Sequence, residues 1–565
     1  MSNPVGAGNL VDERPAAVVR HPDRPPSDRT PEGQSIARWG VRYRLRPVVV
    51  AEAVAATVGL VIVAFAGPGP VRWPVVASAA AGAAVVVLVW YRQATMGGWL
   101  LRWARLRRGR HDTVAQRRAA VAEPVAAELL GADAIGVRQD GKFLVTMIAL
   151  HGHGFAPVEL VAAGLASRDT VPLGAPAGLL HQFAGLDLDC VDVVSVNERV
   201  ASDGDYTARY DEIIGDRAAV GQRRTWLVVR LCPQACLPGI VYRGDAHAAA
   251  AAATERIRQA VVAAGCRATA CTVEQMSQAT TILAGGADLS RLRERWDDIE
   301  DGADYLTSYR IAGVDLNTRL LDEVCTVRST RTVQLLRITP SEQGPQVGAL
   351  VRFRTSQPLR YPPLAVLHPL RGRQFDALAA ALPWGDRSGV VELSKRPLST
   401  AELQIPVGAA GPLLGMSAGG CPYLMPLADP LRSVRVRLNT GLDVAIPLLL
   451  RAAATGSVII VHTDRPQMWE PICDGVRIGL AGGSPLRHEP SMMVVDGAGH
   501  SVEAGERGHT TVLIGEERVG TCDITITQVG RDELSVAVEG RDAVRLQVMR
   551  PRNEAQFVSH LRQGV

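Results

Sequence analysis

Few residues in this 565-residue chain stand at spacings that chemistry requires. Gly415-Met416-Ser417-Ala418-Gly419 has the G-x-S-x-G form, in which a serine nucleophile occupies a sharp strand-to-helix turn. The residues that follow, Gly420-Cys421-Pro422-Tyr423-Leu424, read instead as the return strand of a hairpin, so Ser417 is not expected to be a nucleophile. Asp187-Leu188-Asp189 has the D-x-D form with which glycosyltransferases hold a metal-bound sugar nucleotide. It keeps open an alternative reading, a membrane-tethered glycosyltransferase acting on a cell-envelope precursor. Cys232-x3-Cys236 and Cys266-x4-Cys271 invite comparison with zinc sites, which favour tight cysteine knuckles at turns. Cys232, however, closes an apolar strand and Cys266 lies at a helix end, which fits buried free thiols. His151-Gly152-His153 is a loop after a strand with no evident partner ligands. Gly141-Lys142 is followed by Phe143 and lacks the upstream glycine of a phosphate-binding loop. No catalytic residue, cofactor or metal is expected.

The elements around these residues say more. Two apolar stretches, Val48–Ala66 and Trp73–Trp90, are each long enough as helix to cross a bilayer core of roughly 30 Å. Gly67-Pro68-Gly69-Pro70-Val71-Arg72 breaks the chain between them and permits only a tight antiparallel hairpin. Trp73 and Trp90-Tyr91 sit where interfacial aromatic belts form. Arg38, Arg42, Arg44 and Arg46 precede the first stretch and Arg92, Arg102, Arg105, Arg107, Arg108 and Arg110 follow the second, with Arg72 alone between them. The positive-inside rule puts both ends in the cytoplasm, on the inner face of the plasma membrane. Ala51, Ala55 and Gly59 in the first stretch, and Ser78 and Gly82 in the second, recur every four residues and would allow close helix approach. Glu52, about one turn inside the boundary, is expected to snorkel toward Arg44 or Arg46. Gly97–Arg110 places Trp99, Leu100, Trp103 and Leu106 on one helical face, with Arg102, Arg105, Arg107, Arg108 and Arg110 around it. This is the pattern of a helix lying on an anionic leaflet.

Charge follows the same division. Residues 1–110 hold 15 arginines against 6 acidic residues, whereas the remainder holds 46 basic and 51 acidic residues. A mildly acidic body argues against nucleic-acid binding. Only Lys142 and Lys395 are lysines, a bias of GC-rich coding that makes arginine clusters less informative. The nine cysteines are scattered and odd in number, which fits free thiols in a reducing compartment.

The expected architecture is a membrane-anchored α/β protein: a Pro-rich disordered cytoplasmic tail (1–40), without a cleavable signal peptide, a two-helix transmembrane hairpin (41–92, helices about 48–66 and 73–90), a basic amphipathic juxtamembrane helix (93–118), a cytoplasmic α/β unit (119–295) and a strand-rich α/β unit (296–565). Strands are expected at Phe143–Leu150, Cys190–Val196, Thr225–Leu231, Ala268–Thr272, Thr330–Ile338 and Val347–Thr355. Helices are expected from Pro157, over Ala246–Ala264 closed by Gly265, and from Val273. Val434–Leu438, Val444–Ala454 and Ser457–His462 form a βαβ-like stretch, and Thr510–Met549 reads as short strands.

Several local segments, in a fixed order, then carry a resemblance. Gly204-Asp205-Tyr206 and Tyr210-Asp211 lead through Gln222-Arg223-Arg224 to Thr225-Trp226-Leu227-Val228-Val229-Arg230, and Arg295-Trp296 precedes Tyr305-Leu306-Thr307-Ser308-Tyr309. Gly411-Pro412-Leu413-Leu414-Gly415 precedes Leu424-Met425-Pro426-Leu427-Ala428-Asp429. Leu449-Leu450-Arg451-Ala452-Ala453-Ala454-Thr455-Gly456 leads to His462-Thr463-Asp464-Arg465-Pro466 and Trp469. With the hairpin, this series resembles the EccE family, a core subunit of the type VII (ESX) secretion system of mycobacteria and related actinobacteria. The resemblance covers most of the chain after about residue 40; the tail before Arg38 falls outside it, and many relatives are shorter. It implies a non-catalytic structural role in an inner-membrane complex with EccB, EccC, EccD and a mycosin protease, EccC supplying the ATPase motor. It transfers no catalytic residue to this sequence.

Overall fold

A computed structural model describes residues 39–41, 89–91, 94–95, 121–129, 132–161, 164–167, 169–386, 391–497, 508–515 and 521–559, and helical residues 56–57, 60–61, 74, 77–78, 81–82, 97–104 and 106–107. The chain divides into two compact units, Met1–Arg102 and Trp103–Val565.

In the first unit, Trp39–Val41 pairs antiparallel with Val89–Tyr91, which in turn pairs with Ala94–Thr95. The second apolar helix was expected to run to residue 90; Val89 and Trp90 are instead extended. Val-Trp-Tyr is a β-branched and aromatic run that favours strand once a partner lies alongside. The other described residues within the two apolar stretches, 56–57, 60–61, 74, 77–78 and 81–82, are helical. Among the described residues no helix is long and apolar enough to cross a membrane. The tail, most of the hairpin and residues 108–120 lie outside the described residues.

The second unit is built on two large sheets. The first is antiparallel throughout, with its path running Arg293–Glu294, Ile299–Asp301, Asp304–Ile311, Gln346–Thr355, Arg331–Thr339, Leu186–Glu198, Gln222–Leu231, Phe143–His151, Ala132–Asp140 and Val125–Leu129. Its strands alternate between two cores, as the period of two requires. Leu227, Val229 and Leu231 face the helix Ala246–Ala263, while Trp226 and Val228 face the helices Val273–Ala284 and Gln374–Ala380. Both long helices start and stop on local signals. Asp245 accepts the Ala248 amide at 2.9 Å, and Gly265 leaves the helix at φ +91°. Thr272 and Gln275 form a reciprocal capping box, and Gly285 closes that helix at φ +86°. The helix–strand alternation produces no parallel pair in this sheet. The sheet draws strands from both sides of residue 295, where the sequence suggested a division.

The second sheet is mixed. Ile478–Leu480, Ile459–Thr463, Met492–Asp496, Thr510–Ile514, Val434–Asn439 and Ile524–Gly530 lie in that order, all parallel. The helix Leu442–Ala454 connects the first two of these in sequence and is buried from Val444 onward. An antiparallel ribbon follows: Glu533–Val538, Val544–Gln547, Leu413–Met416 and Pro422–Leu424. Its last members come from early in the chain. Val158–Val161 and Gly164–Ala166 form a hairpin, and Tyr423 pairs with Glu159. A helix was expected to start at Pro157. The Val-Glu-Leu-Val alternation has strand period, and the edge of a distant sheet claims it. Gly164, at φ +137°, opens the second strand at a point where a Cβ would meet the Asp322 carboxylate at 2.6 Å.

One ion cluster pins the antiparallel sheet. Asp192 is fully buried on the central strand Leu186–Glu198 and accepts from Arg230 on one neighbouring strand. It also accepts two 2.8 Å bonds from Arg337 on the other neighbour. Remaining guanidinium protons go to the carbonyls of Trp384, Leu382 and Ala380, just past or at the end of helix Gln374–Ala380. Burial alone would raise the Asp192 carboxyl; the Arg230 and Arg337 charges outweigh it and hold it below the ordinary carboxylate range.

Removing one member leaves buried charge unpaired. Asp192→Ala is expected to cost about 3–5 kcal/mol in chemical denaturation of the purified chain, against under about 0.5 kcal/mol for an exposed control such as Glu342→Ala. Because the folded-state pKa is depressed, this contribution is present at neutral pH. It disappears as pH falls from the ordinary carboxylate value of about 3.9 through the folded value, so wild type should converge on the variant only in acid.

Candidate functional site

The expected membrane-proximal residues are only partly described. Ser78 and Gly82 are helical and exposed; Ser78 Oγ donates to the Pro74 carbonyl at 2.8 Å, and among the described residues beyond its own helix turn none comes within 4 Å of where a Cβ on Gly82 would stand. Ala51, Ala55 and Gly59 lie outside the described residues, as do Arg105, Arg108 and Arg110. Leu100, Leu101 and Trp103 are 54, 62 and 48% exposed on helical residues 97–104. The Arg102 guanidinium stands 5.2 Å from the Trp99 ring centre, and that of Arg107 stands 4.4 Å from Trp103. In each pair an arginine head lies over a tryptophan ring, half-buried at Trp99 and exposed at Trp103, so cationic and apolar groups stand together.

In the body, a cleft of about 580 Å³ opens between the two sheets. Phe143–His151 ends at its wall, and the next residues, Gly152-His153-Gly154, cross the gap. His151 Nε2 bonds Thr269 Oγ1 at 2.9 Å. The His153 amide donates to Asp169 at 2.7 Å, and its Nδ1 lies 3.1 Å from the other oxygen of the same carboxylate. Arg267 donates to the Gly152 carbonyl and, at 2.8 Å, to Asp429, which is 1% exposed. The two glycines are required by contact. A Cβ on Gly152 would meet Asp169 at 2.5 Å and the Gly408 Cα at 2.8 Å; one on Gly154 would meet Asp429 at 2.6 Å. Trp226, Arg223 and Arg224, on the strand paired with Phe143–His151, also line the cleft. Arg223 donates to Asn197 at 2.8 Å and to the Pro406 carbonyl at 3.0 Å. Burial, and then the Arg267 charge, lower the His151 pKa. The cleft therefore presents arginines and hydrogen-bonding groups around a rigid loop. It is suited to recognition, and its carboxylates are engaged in holding the loop.

The sequence reading saw His151-Gly152-His153 as a loop without partners; the structure supplies Asp169, Thr269, Arg267 and Asp429. Two histidines alternating with glycines at a strand end were the available signal, since such glycines mark close backbone approach. Other candidates are not brought together with it. Ser417 lies in the hairpin turn between Leu413–Met416 and Pro422–Leu424, where its amide donates to the Cys421 carbonyl at 2.8 Å. Asp187 accepts from His181 Nδ1 at 2.8 Å on the surface. Cys236, Cys266 and Cys271 are buried and free, and Cys232 is half-buried and free. No group of three metal-ligating side chains occurs among the described residues.

The segments that carried the resemblance converge on internal ties. Arg451 forks onto Glu554 with two 2.7 Å bonds and reaches the carbonyls of Leu413 and Met549. Tyr206 donates to the same Glu554, and Tyr210 accepts the Leu413 amide at 3.0 Å. Asp496 gathers Arg465, Trp469 and Thr463 within 2.9 Å. Arg199 bonds Asp211 and the Gly215 carbonyl. These residues fix one element to another.

Residues 219–311 match the family of type VII ESX secretion system translocon proteins, EccE. The chain is 26% identical over 338 residues to the ESX-2 secretion system protein EccE2 of Mycobacterium tuberculosis, covering 60% of this chain and 62% of the relative. It is 30% identical over 295 residues to the ESX-5 secretion system protein EccE5 of Mycobacterium marinum, covering 49% of this chain and 72% of the relative. It is 27% identical over 401 residues to the ESX-1 secretion system protein EccE1 of M. tuberculosis, covering 69% and 77%. The chain thus spans somewhat less than two thirds of the first of these relatives.

Gly152→Ala is expected to lower stability by about 1–3 kcal/mol, because the Gly408 backbone cannot yield as a flexible side chain would. Thermal unfolding of the purified chain checks this, with Gly419→Ala, where the nearest atom to an added Cβ is the Ser417 hydroxyl at 3.8 Å, as the control for the glycine-to-alanine change itself. For His151 the folded pKa lies below the unfolded one, so stability drawn from its neutral form is present above the ordinary imidazole value of about 6.5 and falls as pH drops through it. His151→Gln should flatten that part of the pH–stability curve.

Proposed function

The chain belongs to the EccE family, and we propose that it is a non-catalytic structural subunit of a type VII (ESX) secretion complex in the inner membrane, supporting assembly of the export machine. The observation that carries this reading is the match itself: residues 219–311 fit the family, and a 30% identical relative is covered over 72% of its length. The geometry agrees, since the segments that carry the resemblance hold ties between elements, such as Arg451 to Glu554 and Tyr210 to the Leu413 amide. In this reading residues 41–92 form the membrane hairpin, 93–118 lie on the anionic inner leaflet, and the body faces the cytoplasm. The antiparallel pairing of Trp39–Val41 with Val89–Tyr91 supports a hairpin whose two ends return to one side. Ser78 and Gly82, with Ala51, Ala55 and Gly59, would pack against transmembrane helices of neighbouring subunits. The partners are EccB-, EccC- and EccD-like subunits and a mycosin, the EccC-like chain supplying ATP hydrolysis. The glycosyltransferase alternative is not carried further, because Asp187 is bonded to His181 on the surface rather than facing the cleft.

Extraction in mild detergent from the native host, followed by native gel and mass spectrometry, should place the chain in a very large species with EccB-, EccC- and EccD-like subunits. A lone protomer would refute the proposal. A second outcome concerns the basic helix. Replacing Arg102, Arg105, Arg107, Arg108 and Arg110 by glutamine removes charges worth about 1 kcal/mol each near an anionic leaflet. The peptide 93–118 should lose well over tenfold in affinity for phosphatidylglycerol-containing vesicles and little for neutral ones.

A further inference from the structure

One part of the body's surface concentrates apolar side chains. Phe183, Leu237, Val241 and Tyr242 are 66, 59, 78 and 70% exposed. Phe183 and Tyr242 meet edge to face with ring centres 6.0 Å apart. They come from two elements, the turn after His181–Gln182 and the helix Leu237–Arg243. The turn holds Ala184 at φ +63°, a conformation that costs an alanine energy, next to Gly185 at φ +75°. The helix lies so close that a Cβ on Gly239 would stand 2.8 Å from the Leu186 side chain. Backbone strain and a glycine contact are therefore used to hold two aromatic and two aliphatic side chains out in solvent. A scattered exposed hydrophobic needs no explanation, but a contiguous group like this does.

The rim is acidic. Asp187 and Asp189 are exposed on the strand leaving the turn, and the Asp187 carbonyl accepts from Cys236 Sγ at the foot of the helix, at 2.9 Å. Asp245, 59% exposed, follows the other end of the helix. Arg243 lies over the Tyr242 ring at 5.6 Å and donates to the Gly239 carbonyl, and the imidazoles of His181 and His247 stand 2.8 and 3.8 Å from the Asp187 and Asp245 carboxylates. The carboxylates of Asp187, Asp189 and Asp245 disfavour an anionic lipid surface and complement a protein segment of opposite charge. The helix also lies inside the stretch that matches the family, whereas Val314 and Tyr361, 91 and 82% exposed, lie outside it.

We propose that the Phe183–Tyr242 surface docks a partner chain through a segment that presents apolar side chains flanked by arginine or lysine. Asp187 and Asp189, whose spacing suggested a metal site, then serve as the rim that selects for that charge. The proposal names a partner chemistry for the subunit described above and rests on that reading.

The test is made on the full chain in its host membranes. A photocrosslinking amino acid replaces Val241, the membranes are irradiated, and adducts are mapped to their residues by mass spectrometry. The expected adduct joins position 241 to a protein segment with basic residues beside apolar ones, and falls at least tenfold when Asp187→Lys and Asp189→Lys are introduced. No adduct, lipid adducts alone, adducts on uncharged or acidic segments, or adducts indifferent to charge reversal would each overturn the proposal. Since all substituted side chains are exposed, an unchanged melting curve excludes misfolding as the cause of loss. Native gels of the same samples separate the two readings. A very large species without the adduct sinks the docking surface alone, and a lone protomer sinks the assembly reading with it.

Discussion

The carboxylate of Asp192 is the constraint on which the body depends. It sits between Arg230 and Arg337 on three adjacent strands, and the same guanidiniums hold carbonyls at the end of helix Gln374–Ala380. A slip of one residue in either strand pair would turn the charges to opposite faces and leave them buried alone. Register is thereby fixed at the centre of the sheet and propagates outward. Gln222–Leu231 continues from Arg230 back to Arg223 and Arg224, and its other neighbour, Phe143–His151, delivers His151 to the same end. The cleft wall is thus aligned by an ion cluster at the opposite end of the same strands.

The parallel half of the body is tied by the same chemistry. Arg451 on a buried helix, Arg465 beside the sheet and Arg267 at the cleft each combine one carboxylate with carbonyl acceptors or a neighbouring donor group. Arginine suits this because its planar fork can satisfy a carboxylate and main-chain oxygens at once, which an ammonium does less well. The arginine-rich composition, which the sequence reading discounted as coding bias, is therefore partly structural. Arg102 over Trp99 and Arg107 over Trp103 are different in kind, each a cation stacked on a ring rather than an arginine tied to a carboxylate and carbonyls.

Local chemistry was legible in the chain, and long-range pairing was not. The helices Ala246–Ala263 and Val273–Ala284 were readable because Asp245, Thr272, Gly265 and Gly285 punctuate them within a few residues. The antiparallel pair Arg331–Thr339 and Gln346–Thr355 was readable because its turn is short. The Val158–Ala166 hairpin was misread because the strand that makes it extended, Pro422–Leu424, comes much later. Asp192, Arg230 and Arg337 went unremarked for the same reason: nothing in spacing alone marks three residues that meet only through strand register. At the cleft, the histidines and glycines were noticed, but their partners Asp169, Arg267 and Asp429 come from separate elements and become partners only on folding.

The placement of Val158–Ala166 in the C-terminal sheet bears on how the polypeptide emerges from the ribosome. When that hairpin leaves the exit tunnel, the strand it needs has not been translated. More than half of the body must be synthesised while an amphipathic β-hairpin waits with its outer edge open. If the apolar stretches before it engage the insertion machinery first, that waiting takes place beside the bilayer, where holding factors and neighbouring subunits compete for the same edge. Late closure by Pro422–Leu424 makes completion of the C-terminal sheet a checkpoint for the early chain, and a nascent chain stopped short of residue 424 leaves that edge unfilled.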